Sequence, residues 1–458
     1  MVNTSKHPNI NLLTYSEVIE FGGIKGNYKV KIKKNPRYIN ESKCTGCGLC
    51  TLKCPIKVPN EFDRYIGERG AIYIPFPQAV PKYAVIDEEI CINCKNCERE
   101  CPAEAINFEQ KPKVIELDIG AVILATGWDE YPIMETNEYK YGIFSDIITQ
   151  IELERMLSPI GPTEGHVYRI SDGRVPRNIA MIQCVGSRSL RGNQYCSAVC
   201  CSVALKNAQL LKQEYPETQT TIFYIDIRTT DKGNEEYFRK IREQNINFIK
   251  GKPGDIKLNP DGTMRLYYDN SLLNDVDFMD FDLIVLSTGM VPSKGTQEII
   301  KVMGLTKDSN GFLSEIHGCL KPQETKNMGI YICGCASGPK NIPYSVSTAL
   351  AAASKAATLL SHDTISQELI IAEVNEALCI GCHRCEKLCE FDAIKVNEAS
   401  IAVIDELQCK GCGVCISSCP ARALDLKYYR DKQFEEKIKG IVMGETKIAK
   451  IIPTSMED

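Results

Sequence analysis

The sequence has few aromatic residues: one tryptophan in 458 residues, with phenylalanine, tyrosine and tryptophan together making 7%. That leaves little from which to build the stacked platforms that hold single-stranded nucleic acid. Positive charge is not in excess either. Lysine and arginine number 54 against 59 acidic residues, a net charge of −5, which argues against any nucleic-acid partner. Long apolar runs are missing. The longest helical one, STALAAASKAATLL, is interrupted by Lys355 and is shorter than the roughly 20 residues of a bilayer span. The start, MVNTSKHPNINLL, lacks the basic segment and apolar core of a secretory signal. A cytoplasmic chain with no membrane span is expected. The length predicts about three domains, and 43% hydrophobic with 25% charged residues is a globular composition.

Cysteine is abundant, at 23 residues. In a reducing compartment these are not disulfides, and regular spacing points to metal. CTGCGLCTLKCP (Cys44, Cys47, Cys50, Cys54) and CINCKNCERECP (Cys91, Cys94, Cys97, Cys101) both read C-x2-C-x2-C-x3-C-P. CIGCHRCEKLCE (Cys379, Cys382, Cys385, Cys389) and CKGCGVCISSCP (Cys409, Cys412, Cys415, Cys419) repeat the pattern, with Glu390 replacing the proline in the first. Three thiolates on one tight loop each reach one corner of a [4Fe–4S] cube, and the fourth cysteine reaches the other cube of the pair. The expected ligand sets are therefore Cys44, Cys47, Cys50 with Cys101; Cys91, Cys94, Cys97 with Cys54; Cys379, Cys382, Cys385 with Cys419; and Cys409, Cys412, Cys415 with Cys389. Structural zinc is the competing reading, but zinc sites rarely carry three-cysteine runs with a trailing C-P. YAVIDEEI and IAVIDELQ precede the second run of each pair as short strands. Between Cys54 and Cys91 the chain is proline-rich (Pro59, Pro75, Pro77, Pro81) and reads as an extended loop, either solvated or docked on something.

GNYKVKIK (26–33) alternates as a half-exposed strand, and the preceding GGIKG reads as a hairpin turn rather than a phosphate loop. After the first cysteine pair, PKVIEL and GAVILATG follow, the latter expected as a fully buried parallel-type strand. The first ferredoxin pair is thus inserted in a larger β-rich domain. From Asn178, NIAMIQC, SVALKNAQLLKQ and TTIFYIDI run strand, helix, strand; two more strands, ending in DLIVLSTG, complete a doubly wound dinucleotide-type unit. Where G-x-G-x-x-G would stand at its first turn, there is CVGSRSLRGNQYCSAVCC, with Cys184, Cys196, Cys200 and Cys201 at an uncommon C-x11-C-x3-C-C spacing. The residues alone leave open a metal site, a redox dithiol or buried thiols. YICGCASGPKNIPYSVSTALAAASKAA reads strand, glycine-containing loop and Ala-rich helix, whose N-terminus offers N–H groups to a ligand.

Two Ala/Ser-Thr-Gly turns, a late glycine loop before a helix and a degenerate middle nucleotide unit resemble the thioredoxin-reductase flavoprotein scaffold. With both ferredoxin pairs, CVGSR…YCSAVCC and GCASGPKNIP, the chain resembles the A-type subunits of heterodisulfide reductase, a family of iron–sulfur flavoproteins of anaerobes. The implied fold class is α/β. A partial FAD domain (1–38, 111–175, 291–365) carries an inserted 2[4Fe–4S] ferredoxin domain (39–110). A degenerate NAD(P)-type domain (176–290), a C-terminal 2[4Fe–4S] ferredoxin domain (366–430) and a helical tail (431–458) complete it.

The resemblance further implies a fifth cluster on Cys184, Cys196, Cys200 and Cys201, giving five [4Fe–4S] clusters, and a flavin beside it. The flavin contacts it carries over are Ala125, Thr126 and Gly127, then Gly334, Cys335 and Ala336, then Lys340, Asn341, Ile342, Pro343, Ser345 and Val346. Lys206, on the helix after the cysteines, would approach the flavin N5; a solvated helix lysine is the alternative. Cys319, Cys333 and Cys335 are expected as small buried residues outside any cluster. The family begins with a segment carrying GGGIAG for the FAD pyrophosphate, which this sequence does not contain. A separate polypeptide sharing one FAD site is expected. The implied activity is electron transfer with flavin-based bifurcation, or its reverse, confurcation. It would run between a hydrogenase, formate dehydrogenase or deazaflavin-linked donor, ferredoxin, and a subunit reducing a CoM-S-S-CoB type disulfide, as in methanogenesis. A flavin-free cluster relay is the alternative, and a disulfide oxidoreductase using Cys200 and Cys201 ranks third.

Overall fold

The computed structural model describes residues 2–136, 138–271, 275–362, 364, 369–391, 393–406 and 408–442. Its centre is a five-stranded parallel sheet, ordered Ile147–Thr149, Leu283–Thr288, Asn178–Val185, Gln219–Tyr224, Asn247–Lys250. Asn178–Val185 is apolar on both faces because both are covered: Ile179 and Met181 pack into one core with Leu205, Ala208 and Leu211, and Ala180 and Ile182 into the other with Phe223 and Phe281. The helix Cys200–Glu214 crosses from the central strand to its neighbour, as a doubly wound unit requires. A second helix, Gln150–Leu157, is started by a capping box in which Thr149 and Glu152 satisfy each other's backbone N–H groups.

The sheet differs from expectation in one respect. After Asn247–Lys250 the chain makes an antiparallel meander, Pro253–Leu258, Met264–Asn270 and Asp275–Phe281, before returning as Leu283–Thr288. The two strands read from sequence were too few, because the meander's solvent-facing residues mute its apolar pattern (Val276 and Phe278 are exposed).

A separate antiparallel sheet pairs Ser16–Ile24, Asn27–Lys34 and Lys113–Ile119, closing across the inserted cysteine region. Beside it, Val122–Leu124 pairs in parallel with Ile330–Ile332. Here the fully buried strand expected of GAVILATG is corrected: Ile123 is 42% exposed. Among the described residues this sheet has two strands only, so each has a neighbour on one side. The Ala-rich helix Ile342–Leu360, capped by Asn341, follows the second strand and leaves Ile342, Val346 and Leu350 exposed.

The C-terminal cysteine region folds as two antiparallel ribbons, Ala372–Val374 with Leu424–Leu426 and Ile394–Val396 with Ala402–Ile404. A helix, Asp431–Val442, follows and buries none of its residues. The rest of the expected tail lies outside the described residues. The loop between Cys54 and Cys91 is docked. Asp63 pairs with Arg155 at 2.7 Å, Phe62 lies under the same guanidinium, Arg64 pairs with Glu130, and Ile66 joins the core of the parallel sheet.

Candidate functional site

Each of the four cysteine loops turns twice through the left-handed region, at equivalent places. Before the second cysteine the residues are Gly46, Asn93, Gly381 and Gly411; after it, Gly48, Lys95, His383 and Gly413. These turns aim three consecutive thiols inward. Glycine is required at Gly46 and Gly411, where a Cβ would meet a backbone oxygen at 2.2 and 2.1 Å.

The thiols gather around small voids. Cys44, Cys47, Cys50 and Cys101 line one; Cys54, Cys91, Cys94 and Cys97 a second; Cys379, Cys382, Cys385 and Cys419 a third. The fourth set is recorded electrostatically: Cys415 is pushed up to about 11, by burial first and then by Cys409, Cys412 and Cys389. Each grouping takes three thiols from one run and the fourth from the other. Three thiols of one run and one of the other around a small void is the ligand arrangement of a [4Fe–4S] cube. Backbone N–H groups of Ala105, Ala393 and Ala423 reach the sulfurs of Cys101, Cys389 and Cys419, each at 3.3 Å. Such bonds stabilise thiolate charge and tune cluster potential.

Cys184, Cys196, Cys200 and Cys201 also come together. They lie at the carboxyl end of the parallel sheet and at the start of the helix Cys200–Glu214, near enough to perturb one another. Burial pushes the Cys184, Cys200 and Cys201 thiols up, with neighbouring thiols adding to it. Cys184 sits at φ +60°, an uncommon backbone for a non-glycine residue. Among the described residues, neither side-chain polar atom of buried Gln183, the neighbour of Cys184 in the chain, nor the Nδ2 of Asn193 has a hydrogen-bond partner. Sequence reading missed Arg188. Its guanidinium reaches Cys184 while pairing with Asp226, and it is the last residue of the quoted CVGSR.

The residues expected around a flavin fall in two adjoining loops. Because Val122–Leu124 and Ile330–Ile332 are parallel neighbours, Ala125, Thr126 and Gly127 leave the sheet beside Gly334, Cys335 and Ala336. Gly127 and Gly334 are both left-handed, and a Cβ on Gly127 would meet nothing within 4 Å. Ser293 Oγ donates to the Thr126 carbonyl at 2.9 Å, and Thr348 Oγ1 accepts from the Gly334 N–H at 3.0 Å. Lys340 is turned back onto Ser337 Oγ (2.9 Å), and burial lowers its pKa. Asn341 caps the helix that continues through Ile342, Pro343, Ser345 and Val346.

This pair of loops is linked to the Cys184 constellation on two sides. Trp128–Glu130 pairs with Met290–Pro292, and the Met290 N–H donates to Ser197 Oγ at 2.8 Å. On the other side, the Asp226 carbonyl lies 4.0 Å from Cys201 Sγ, and Asp231 accepts from Asn341. Lys206 is half-exposed and paired with Glu154 on the neighbouring helix. Of the remaining cysteines, Cys333 is buried and Cys335 partly so, but Cys319 is exposed, which corrects the expectation for it. It stands in the tight turn that His317 closes onto Lys321.

Residues 372–426 match the 4Fe-4S dicluster domain family, and residues 37–59 and 84–107 match the 4Fe-4S binding domain family. Domain matches and thiol geometry together define an iron–sulfur protein with two ferredoxin-type domains.

The iron–sulfur A-type polypeptide of the CoB–CoM heterodisulfide reductase of Methanocaldococcus jannaschii is 44% identical over 454 residues, 98% of this chain and 69% of its own length. The corresponding polypeptide of the H(2)/formate:CoB-CoM heterodisulfide,ferredoxin reductase of Methanococcus maripaludis is 44% identical over 448 residues, 96% of this chain and 68% of its own. That of the H(2):CoB-CoM heterodisulfide,ferredoxin reductase of Methanothermobacter thermautotrophicus is 46% identical over 400 residues, 87% of this chain and 61% of its own length. The chain belongs to this family, the A-type subunits of heterodisulfide reductase, and it spans about three-fifths to two-thirds of the length of these relatives. Thioredoxin reductases of Lactococcus lactis and T. acidophilum overlay 64% and 65% of the chain at 19% and 14% identity, with TM-scores of 0.33 and 0.34, too loose an overlap to bear on the scaffold. The α/β fold class with one inserted and one C-terminal ferredoxin domain is the observed one.

Proposed function

We propose that this chain is the electron-distributing subunit of a heterodisulfide reductase-type complex. It would hold five [4Fe–4S] clusters and a share of one FAD, and perform flavin-based bifurcation or confurcation. When bound, the flavin would exchange electron pairs for single electrons and the clusters would carry the singles. The observation that carries the reading is the Cys184 constellation. It is linked through Trp128–Glu130 to Thr126 and Gly127 on one side, and through Asp226–Asp231 to Asn341 on the other.

In this reading Gly127 and Gly334 leave room for close backbone approach. The N-terminus of the Ile342 helix faces the flavin, and Cys184, Cys196, Cys200 and Cys201 hold the nearest cluster. Arg188 would oppose the negative charge of those thiolates. A second chain or segment carrying the pyrophosphate loop would cover the open face of Ile123, Ile342, Val346 and Leu350. Donor and acceptor subunits are proposed from the relatives' names. A hydrogenase, formate dehydrogenase or deazaflavin-linked protein would stand on one side, with ferredoxin and a heterodisulfide-reducing subunit on the other.

One observation favours a flavin-free relay instead. Lys206, expected at the flavin N5, is satisfied by Glu154. Flavin analysis of the natively copurified complex separates the two readings. About one FAD per chain, released only on denaturation, supports distribution at a flavin; a flavin-free complex that still transfers electrons leaves the relay.

A further inference from the structure

A basic cavity adjoins the first cysteine pair, on the side away from the Cys184 constellation and the glycine loops. It holds about 440 Å³, between the end of the hairpin strand Asn27–Lys34 and the first cysteine pair. Four cations line it, Lys34, Arg37, Lys111 and Lys113, against one carboxylate, Glu41. The balance of its wall is 4 − 1 = +3, on a chain whose overall charge is −5.

Glu41 is already engaged, with Lys34 at 2.8 Å and Arg37 at 3.3 Å. Arg37 is 8% exposed, and its Nε is buried without a hydrogen-bond partner among the described residues, since Glu41 lies out of line for one. An arginine buried to that degree ordinarily has its donors satisfied. The Tyr15 ring centroid lies 5.3 Å from its guanidinium carbon. Lys111 and Lys113 are exposed at the cavity and form no ion pair among the described residues. Ser42, Asn40 and Asn107 add neutral polar groups to the same wall.

We propose that this cavity is a binding site for a small phosphate-bearing anion. A buried guanidinium whose Nε lacks a hydrogen bond offers a charged donor to a phosphate oxygen, and two lysines at the mouth add charge without fixed geometry. The cavity is also coupled to the electron path. Ile39 forms part of its wall and part of the wall of the void that Cys44, Cys47, Cys50 and Cys101 line. An anion seated behind Ile39 makes an added electron on that cluster less favourable, so the ligand lowers the cluster's potential. This coupling rests on the cluster assignment proposed above; the binding itself does not.

The test is pyrophosphate binding to the anaerobically purified holoprotein by calorimetry, with EPR-monitored redox titration alongside. Pyrophosphate should bind below about 1 mM, weaken by roughly tenfold in the Lys111→Gln/Lys113→Gln double variant, and weaken further in Arg37→Gln. The midpoint of one cluster should move down in the wild type and not in the double variant. Citrate, a carboxylate of similar charge, should bind more weakly than pyrophosphate. Absence of saturable binding, binding unchanged in the soluble double variant, or citrate bound as tightly would overturn the site. Binding with an unmoved midpoint would overturn the coupling alone.

Discussion

The parallel sheet and the two cysteine-rich modules are held together by different chemistry. The sheet's core is built from large aliphatic side chains sealed from water, among them Ile179, Met181, Leu205, Leu211 and Leu283, all at 0% exposure. The C-terminal module's core is Ile371, Ala372, Cys385, Ala393, Ile394, Ala402, Cys409, Cys415 and Leu424, so a third of its buried members are thiols and another third are alanines. Small residues leave room for a cluster and bury little apolar area of their own, so the modules are expected to depend on metal–thiolate bonds more than the sheet does.

Iron removal should break the comparison most sharply. Anaerobic chelation is expected to expose both cysteine-rich modules to protease while the region around 176–290 stays resistant; simultaneous loss of all three would show that the sheet depends on clusters too.

Cross-pairing of ligands gives the next largest effect. Cys101→Ser should remove the cluster attributed to Cys44, Cys47 and Cys50, about four irons, and spare that of Cys91, Cys94 and Cys97. Cys333→Ser should leave iron unchanged, since that thiol donates to the Leu124 carbonyl, away from the cluster voids. Iron and sulfide analysis decides both.

In the sheet, Leu205→Ala should cost about 2–5 kcal/mol, seen as a lower melting temperature with iron content retained. The smallest effect is at Lys206. Its pair with Glu154 is partly exposed on both sides, so Lys206→Gln should change stability by about 1 kcal/mol or less, matched by Glu154→Gln. If Lys206 also acts at the flavin, Lys206→Gln alone will shift the flavin midpoint, and Lys206→Arg will restore it.

Much of this was legible in the sequence because cluster ligation demands fixed local spacing. Cys44 to Cys54 and its three repeats each declare three ligands by local spacing, and the repeat of the pattern points to the partner run that supplies the fourth. The left-handed turns at Asn93, Lys95 and His383 were not legible, since only glycine advertises that backbone. The meander at 253–281 escaped because one of its faces is wet. The docking of Phe62 and Asp63 on Arg155 escaped for another reason: a contact spanning 92 residues leaves no local periodicity. Arg188 stood inside a quoted motif, yet its role depends on Asp226 in the next strand's loop. The basic cavity is likewise assembled from two stretches, 34–42 and 107–113, that the inserted module brings together.

The central claim is that Cys184, Cys196, Cys200 and Cys201 hold a cluster of their own. Iron content of the holoprotein and of Cys200→Ser, purified anaerobically and side by side, tests it most directly. The account predicts about twenty irons per chain in the first and about sixteen in the second, with the other clusters' EPR signals intact. A wild type already at about sixteen, or a variant that keeps every iron, would contradict it and return these four cysteines to thiol chemistry.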